Sequence, residues 1–202
     1  MKIVLFSIAA IAAMSSSAAA DDCKQISSDL DRLACYDKES GRTAKQERIV
    51  SKTPSKWSLQ KETSKMSDRT NVYMTVQSNE IINCGWNRGD KISLSLMCRE
   101  NKTSVVFDTG CHMTSSEYND YGDIQYRIDQ EKARTVSATE TTNNRALGLW
   151  SGGKSIPFIK SILGKNKLLV RMTPYGENPF TATFDISGAD EGVKAIRSAC
   201  GW

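Results

Sequence analysis

The sequence predicts a mainly β protein: an antiparallel β-sandwich or open barrel with a short N-terminal helical segment and a C-terminal helix. Three observations carry that expectation. Apolar residues alternate with polar ones at Val72, Met74 and Val76, and again at Ile92, Leu94, Leu96 and Cys98. Period-two alternation is the pattern of strands with one wet face. Turn chemistry separates these runs, at Asn87-Arg88-Gly89-Asp90 and at Glu100-Asn101-Lys102. Near the end, Val193, Ile196 and Ala199 fall at helical spacing within 190–199.

The chain opens as an exported protein opens. Met1-Lys2 is a positive start, residues 3–14 are almost wholly apolar, and residues 15–20 are small. Ala18 and Ala20 form an Ala-x-Ala pair, so cleavage is expected between Ala20 and Asp21. A membrane-spanning helix needs about 20 apolar residues, and the run 3–14 is too short. A lipid-attachment site at Cys23 is disfavoured, because Ala-Asp-Asp precedes it where small apolar residues are wanted. The mature protein is therefore expected in the periplasm or secreted, with no membrane span.

Residues 22–38 read as a helix, with Ile26, Leu30 and Leu33 on one face and Ser27 or Ser28 as the cap. Cys23 and Cys35 bracket this segment and would close it. Residues 39–56 turn polar and charged and read as a linker. A β-rich domain is expected over 57–202. Within it, Val105 and Phe107 alternate with Val106, and Ile124, Tyr126 and Ile128 with Gln125 and Arg127, while Val136 lies on a return strand. A strand pair is thus expected between Tyr118 and Ala138, and 139–145 reads as a polar loop. Residues 156–163 read as a helix closed by Gly164, with Ile159, Ile162 and Leu163 inward. Strands follow at 167–173 and 180–186, joined by a turn at Pro174-Tyr175-Gly176.

Six cysteines behind an export signal read as three disulfides. If 71–82, 91–98 and 103–110 form a meander, Cys98 faces Thr103, and Cys84 and Cys111 fall at the other end of the sheet. That pair can come within the about 7 Å that a disulfide allows between Cα atoms. Cys98 is left for Cys200, and Cys23–Cys35 is local.

Composition and motifs exclude several functions. Lys and Arg, 27 against 23 acidic residues, are spread along the chain and form no nucleic-acid footprint. No Cys-x-x-Cys occurs, and the sole histidine, His112, lacks a second ligand at zinc spacing, so no metal is expected. No catalytic triad, nucleophile elbow or phosphate loop is legible, so neither catalysis nor a cofactor is expected. Ser151-Gly-Gly-Lys154-Ser155 echoes a phosphate loop without its strand–helix setting. Asp120 and Asp123 are a carboxylate pair of the kind that serves acid–base work or Ca²⁺ binding, and equally of the kind found on any surface loop. Trp57, Trp86 and Trp150, with Trp202, either line a binding groove or fill the core.

Several phrases of the chain resemble a known family. Asp31-Arg32-Leu33-Ala34-Cys35-Tyr36-Asp37, after Cys23, resembles an N-terminal motif of exported bacterial proteins. Trp57, Ser67-Asp68, Asn71-Val72 and the run Leu96-Met97-Cys98-Arg99-Glu100-Asn101-Lys102-Thr103 are similar to the VasI/TagO family of type VI secretion-associated proteins. So are Arg171-Met-Thr-Pro174-Tyr175-Gly176, Thr181-Ala-Thr-Phe184-Asp185-Ile-Ser-Gly188 and Ala199-Cys200-Gly201-Trp202. The resemblance implies a non-catalytic accessory protein of the bacterial envelope, with an envelope or secretion-apparatus protein as partner. It supports pairing Cys98 with Cys200, which both fall in shared motifs. An inhibitor or ligand-binding module acting on a hydrolase or on cell-wall glycan, with peptidoglycan as partner, is the alternative.

Overall fold

The computed structural model describes residues 23–40, 55–115 and 120–202. The expected export signal (1–20), most of the expected linker (41–54) and Tyr118 lie outside the described residues. The chain divides near residue 51 into two units, each described by itself.

The first unit holds helix α1, Asp29–Glu39. It begins later than the periodicity indicates, because Ser28 caps it by accepting from the Asp31 N–H. Arg32 donates to the Ile26 carbonyl at 3.2 Å and pairs with Asp29, tying the entry segment to the first turn. The Cys23–Cys35 disulfide closes the segment, with Cα atoms 5.6 Å apart. Cys23 is fully buried, whereas Leu33 is exposed.

The second unit is a ten-stranded, wholly antiparallel sheet nearly closed into a barrel. Its strands are β1 (Ser58–Thr63), β2 (Thr70–Asn83), β3 (Arg88–Arg99), β4 (Lys102–Asp108), β5 (Asp123–Ile128), β6 (Arg134–Ser137), β7 (Thr139–Glu140), β8 (Ala146–Leu149), β9 (Lys167–Met172) and β10 (Phe180–Asp185). The hydrogen-bonded order is β6-β5-β9-β10-β2-β3-β4-β8-β7. The two ends of that path, β6 and β7, are separated in the chain only by Ala138, whose N–H donates to the Gly122 carbonyl. Covalent continuity thus draws the sheet's edges together, which limits the unpaired edge a sheet otherwise presents. β1 stands off the path and pairs with the first half of β2.

The alternating residues of β2, β3 and β10 point inward. Val72, Met74, Val76, Ile92, Leu94, Leu96, Ala182 and Phe184 are all buried, and Phe107 meets Phe158 and Phe184 edge-on at the centre. The β3–β4 turn has Glu100 and Asn101 at φ 48° and 60°, the paired left-handed geometry of a two-residue hairpin. A bulge interrupts β2 between Gln77 and Ile81. There the Ser78 hydroxyl accepts from the Ile92 N–H and Glu80 accepts from the Thr183 N–H of β10, so side chains complete the bonds the ladder drops.

Two helices cover the sheet. Helix α2 (Gly152–Ile162) starts before Ile156, despite Gly152, Gly153 and Pro157. Burial of Phe158, Ile159 and Ile162 outweighs those weak helix formers. Helix α3 (Ala189–Cys200) lies across β2 and β3 with Val193 and Ile196 buried. It approaches so closely at Gly192 that a Cβ there would be 2.4 Å from Met74 Sδ. The disulfide Cys98–Cys200 fastens its last turn to β3, and Cys84–Cys111 joins the end of β2 to the segment after β4. Within 139–145, read as a loop, Thr139–Glu140 is the strand that closes the path. The pair is too short to show alternation.

Candidate functional site

The most chemically distinctive surface lies at the Cys84–Cys111 end of the barrel. The connection from β2 to β3 is built on Asn87, which is buried. Its amide donates to the Thr109 carbonyl at 2.8 Å and its side-chain oxygen accepts from the Asp90 N–H at 2.9 Å. Its backbone carbonyl accepts from the Cys84 N–H. The turn is therefore pinned on the inside, and Trp86 is carried on the outside, 48% exposed.

The disulfide sets Trp86 against the residue that follows Cys111. His112 stacks on the indole with ring centroids 4.4 Å apart and planes 13° from parallel. The His112 carbonyl accepts from the Tyr175 N–H at 2.8 Å, and the Tyr175 ring lies 5.3 Å from the imidazole. Tyr121 continues the row, 5.5 Å from Tyr175, and its hydroxyl accepts from the Gly176 N–H. Glu177 accepts from the Gly85 N–H at 2.9 Å, binding the 173–177 loop back to the Trp86 turn. The Arg145 guanidinium lies 5.7 Å from the Trp86 ring centre. Four aromatic rings from three loops and a short 3₁₀ turn thus form one braced row, whose exposed members are Trp86 and Tyr175 (56%).

The other tryptophans do not join it. Trp57 is partly buried against the core. Trp150 is 41% exposed, lies over Gly148 and donates to the Thr139 carbonyl. Since Leu149 pairs with Val105, Trp150 lies toward the start of β4, while Cys111 and the aromatic row lie beyond its end. Trp202 packs on the core and donates to Thr103 Oγ1 at 2.8 Å, with the Arg197 and Lys160 cations over its ring. Of the three tryptophans considered for binding, Trp86 is the one stacked on a ring of this row, that of His112.

Asp120 and Asp123 line a shallow groove of about 250 Å³ on the outer face of β5, β6 and β9, with Gln125, Thr135, Arg171, Thr173 and Pro179. Asp123 accepts from the Ser137 hydroxyl at 2.8 Å. The Ser151–Ser155 segment opens α2, but Ser155 is fully buried with its hydroxyl 2.7 Å from the Thr103 and Ser151 carbonyls. Lys154 donates to the Ser137 carbonyl. Both side chains are committed to the fold. Among the described residues one group has ligand atoms close enough for a metal: Cys23, Cys35 and Glu39. Its two sulfurs are bonded to each other, which removes them as ligands. Elsewhere, the hydrogen bond from Ser115 holds the Glu140 carboxyl below the usual carboxylate range against the opposing effect of burial. The Ser187 hydroxyl does the same for Asp185.

Sequence reasoning picked out Trp86 but not His112, Tyr121, Tyr175 or Arg145 as its neighbours. Two signals were present: the disulfide pairing brings Trp86 and His112 to one place, and the Pro174-Tyr175-Gly176 turn puts an aromatic ring at a loop tip.

A comparison with curated proteins gives no match. Among solved structures, the crystal structure of invasion associated protein b from Bartonella henselae aligns with a TM-score of 0.45 and 12% identity, covering 71% of this chain and 93% of that one. The family model described as type VI secretion system VasI, EvfG matches residues 22–202. No helix among the described residues is long and apolar enough to cross a membrane. With the match running over nearly the whole chain, the protein belongs to the VasI family of type VI secretion-associated proteins.

Proposed function

We propose that the protein is an exported, non-catalytic accessory component of type VI secretion that binds another component of the bacterial envelope through its aromatic end. The observation that carries this is the row Trp86–His112–Tyr175–Tyr121, with two rings exposed on a frame fixed by a disulfide. Exposed, rigidly held Trp, Tyr and Arg side chains are the residues that dominate binding energies at interfaces. Rigidity also lowers the entropic cost of association.

Export and residence in the periplasm are supported by the first twenty residues and by three disulfides that leave no free thiol. A non-catalytic role is supported by the use of His112, whose ring lies between those of Trp86 and Tyr175. The secretion link is supported by the family.

The test is retention in the envelope. Wild type and a Trp86→Ala/Tyr175→Ala variant are expressed with their export signal, and the periplasm is released by osmotic shock. Wild type is expected to stay with the envelope fraction and to crosslink there. The double variant, of unchanged thermal stability, is expected in the soluble fraction. Equal partitioning of the two would refute the assignment of the site.

A further inference from the structure

We infer that the aromatic row and the groove beside it form one saccharide-binding strip, so that the envelope component bound at this end is a glycan chain. The inference rests on the proposed binding role and names the ligand class.

The two features are linked through the chain. Asp120 and Thr173 line the groove. Tyr121 follows Asp120 directly, and Tyr175 follows Thr173 across Pro174. The rings of Tyr121 and Tyr175 are 5.5 Å apart, so the two chain segments that line one end of the groove also carry two rings of the row.

The groove's lining has the hydrogen-bonding character of a sugar's complement. A pyranose hydroxyl both donates and accepts, so its site needs both kinds of group close together. Asp120 and Asp123 accept, Arg171 donates, and Gln125, Thr135 and Thr173 do both. Strand pairing fixes several of them: Gln125 stands opposite Arg171 on one side and opposite Thr135 on the other. Asp123 is held by the Ser137 hydroxyl. Two carboxylates and one guanidinium make a mixed field. An anion would meet the carboxylates and a bare cation the guanidinium, whereas a neutral polyol suits all of them.

The adjoining rings supply the second half of such a site. A pyranose presents a face of C–H groups, which stacks on the negative face of an aromatic ring. Tyr175 and Trp86 are the exposed rings of the row, and the His112 stack and the Glu177–Gly85 bond fix their positions. A chain of sugars then runs from the rings along the strands. The groove is shallow and lies open along an outer sheet face, which suits an extended polymer.

The experiment is titration of the mature protein with chitotetraose and with cellotetraose, read by intrinsic tryptophan fluorescence and by calorimetry. Saturable binding of either sugar is expected. It should weaken at least tenfold in Arg171→Ala and in Gln125→Ala, two exposed positions whose loss leaves the core intact, and at least tenfold in Tyr175→Ala. Binding of neither sugar overturns the inference, and so does binding that Arg171→Ala and Gln125→Ala leave unchanged. If neither sugar binds while Trp86→Ala/Tyr175→Ala still releases the protein from the envelope, the glycan assignment falls and the binding role stands.

Discussion

Removal of the Cys98–Cys200 bond tests how the barrel is held together. The bond closes a loop of 102 residues, and Cys84–Cys111 closes one of 27. In the chain-entropy model, losing such cross-links costs about 4.7 and about 3.5 kcal/mol respectively. Each bridge has one fully buried partner, Cys98 or Cys111, so the small cavities left by alanine are similar and nearly cancel in the comparison. The longer bridge has a further task. It anchors the last turn of α3, whose Val193 and Ile196 bury against β2 and β3. Cys98→Ala/Cys200→Ala is therefore expected to lower the melting temperature by roughly 9–19 °C, taking about 2–4 °C per kcal/mol for a chain of this size. Cys84→Ala/Cys111→Ala should lower it by roughly 7–14 °C and also change tryptophan emission, because the Trp86–His112 stack loses its tie. The assay is calorimetry on the two double variants. If the short-loop variant were as destabilised as the long-loop one, or more so, the reasoning would be refuted.

Three smaller perturbations probe the packing. Gly192→Ala puts a Cβ 2.4 Å from Met74 Sδ, and overpacking of that kind costs about 1–3 kcal/mol, seen as a lower denaturation midpoint in urea. Asn87→Ala leaves the buried Thr109 carbonyl without its donor, a loss of about 1–3 kcal/mol read in the same way. Acid should destabilise the protein with a defined sign. Hydrogen bonds from Ser115 hold Glu140 low; at Glu80 burial opposes the bonds from Thr183, which prevail. The unfolded chain then binds these protons more tightly than the folded one. The stabilisation is complete above the ordinary glutamate value of about 4.3 and is lost as pH falls through the lower folded values. Glu140→Gln should flatten that acid limb in a pH series of melting temperatures, and an unchanged slope would contradict the assignment.

Much of the fold was legible because a half-buried sheet writes itself in alternation. Val72-Met74-Val76 and Ile92-Leu94-Leu96-Cys98 all face inward, and counting residues around the Glu100-Asn101 turn gives the observed pairing of Cys98 with Thr103. The same count puts Cys84 and Cys111 at one end, where they are bonded. Other parts depend on distant groups. Val106 should face water by alternation but is buried, and Trp150 lies over Gly148, its pairing partner. Residues 152–155 look unfit for a helix until Phe158 and Ile159 find the core. Closure of the barrel rests on Thr139-Glu140, two polar residues with no pattern to read. The aromatic row was the least legible feature, since Trp86, His112, Tyr121 and Tyr175 come from four separate segments. The disulfide and the loop bonds, formed between distant parts of the chain, bring them into contact.

The central claim is that this aromatic end is how the protein acts in type VI secretion. Complementation measures it most directly. A strain lacking the gene is supplied with wild type or with Trp86→Ala/Tyr175→Ala, and export of the secretion tube protein into the medium is followed by immunoblot. The account predicts restored export with wild type and loss of export with the double variant at equal periplasmic abundance and melting temperature. Full restoration by the double variant would contradict it.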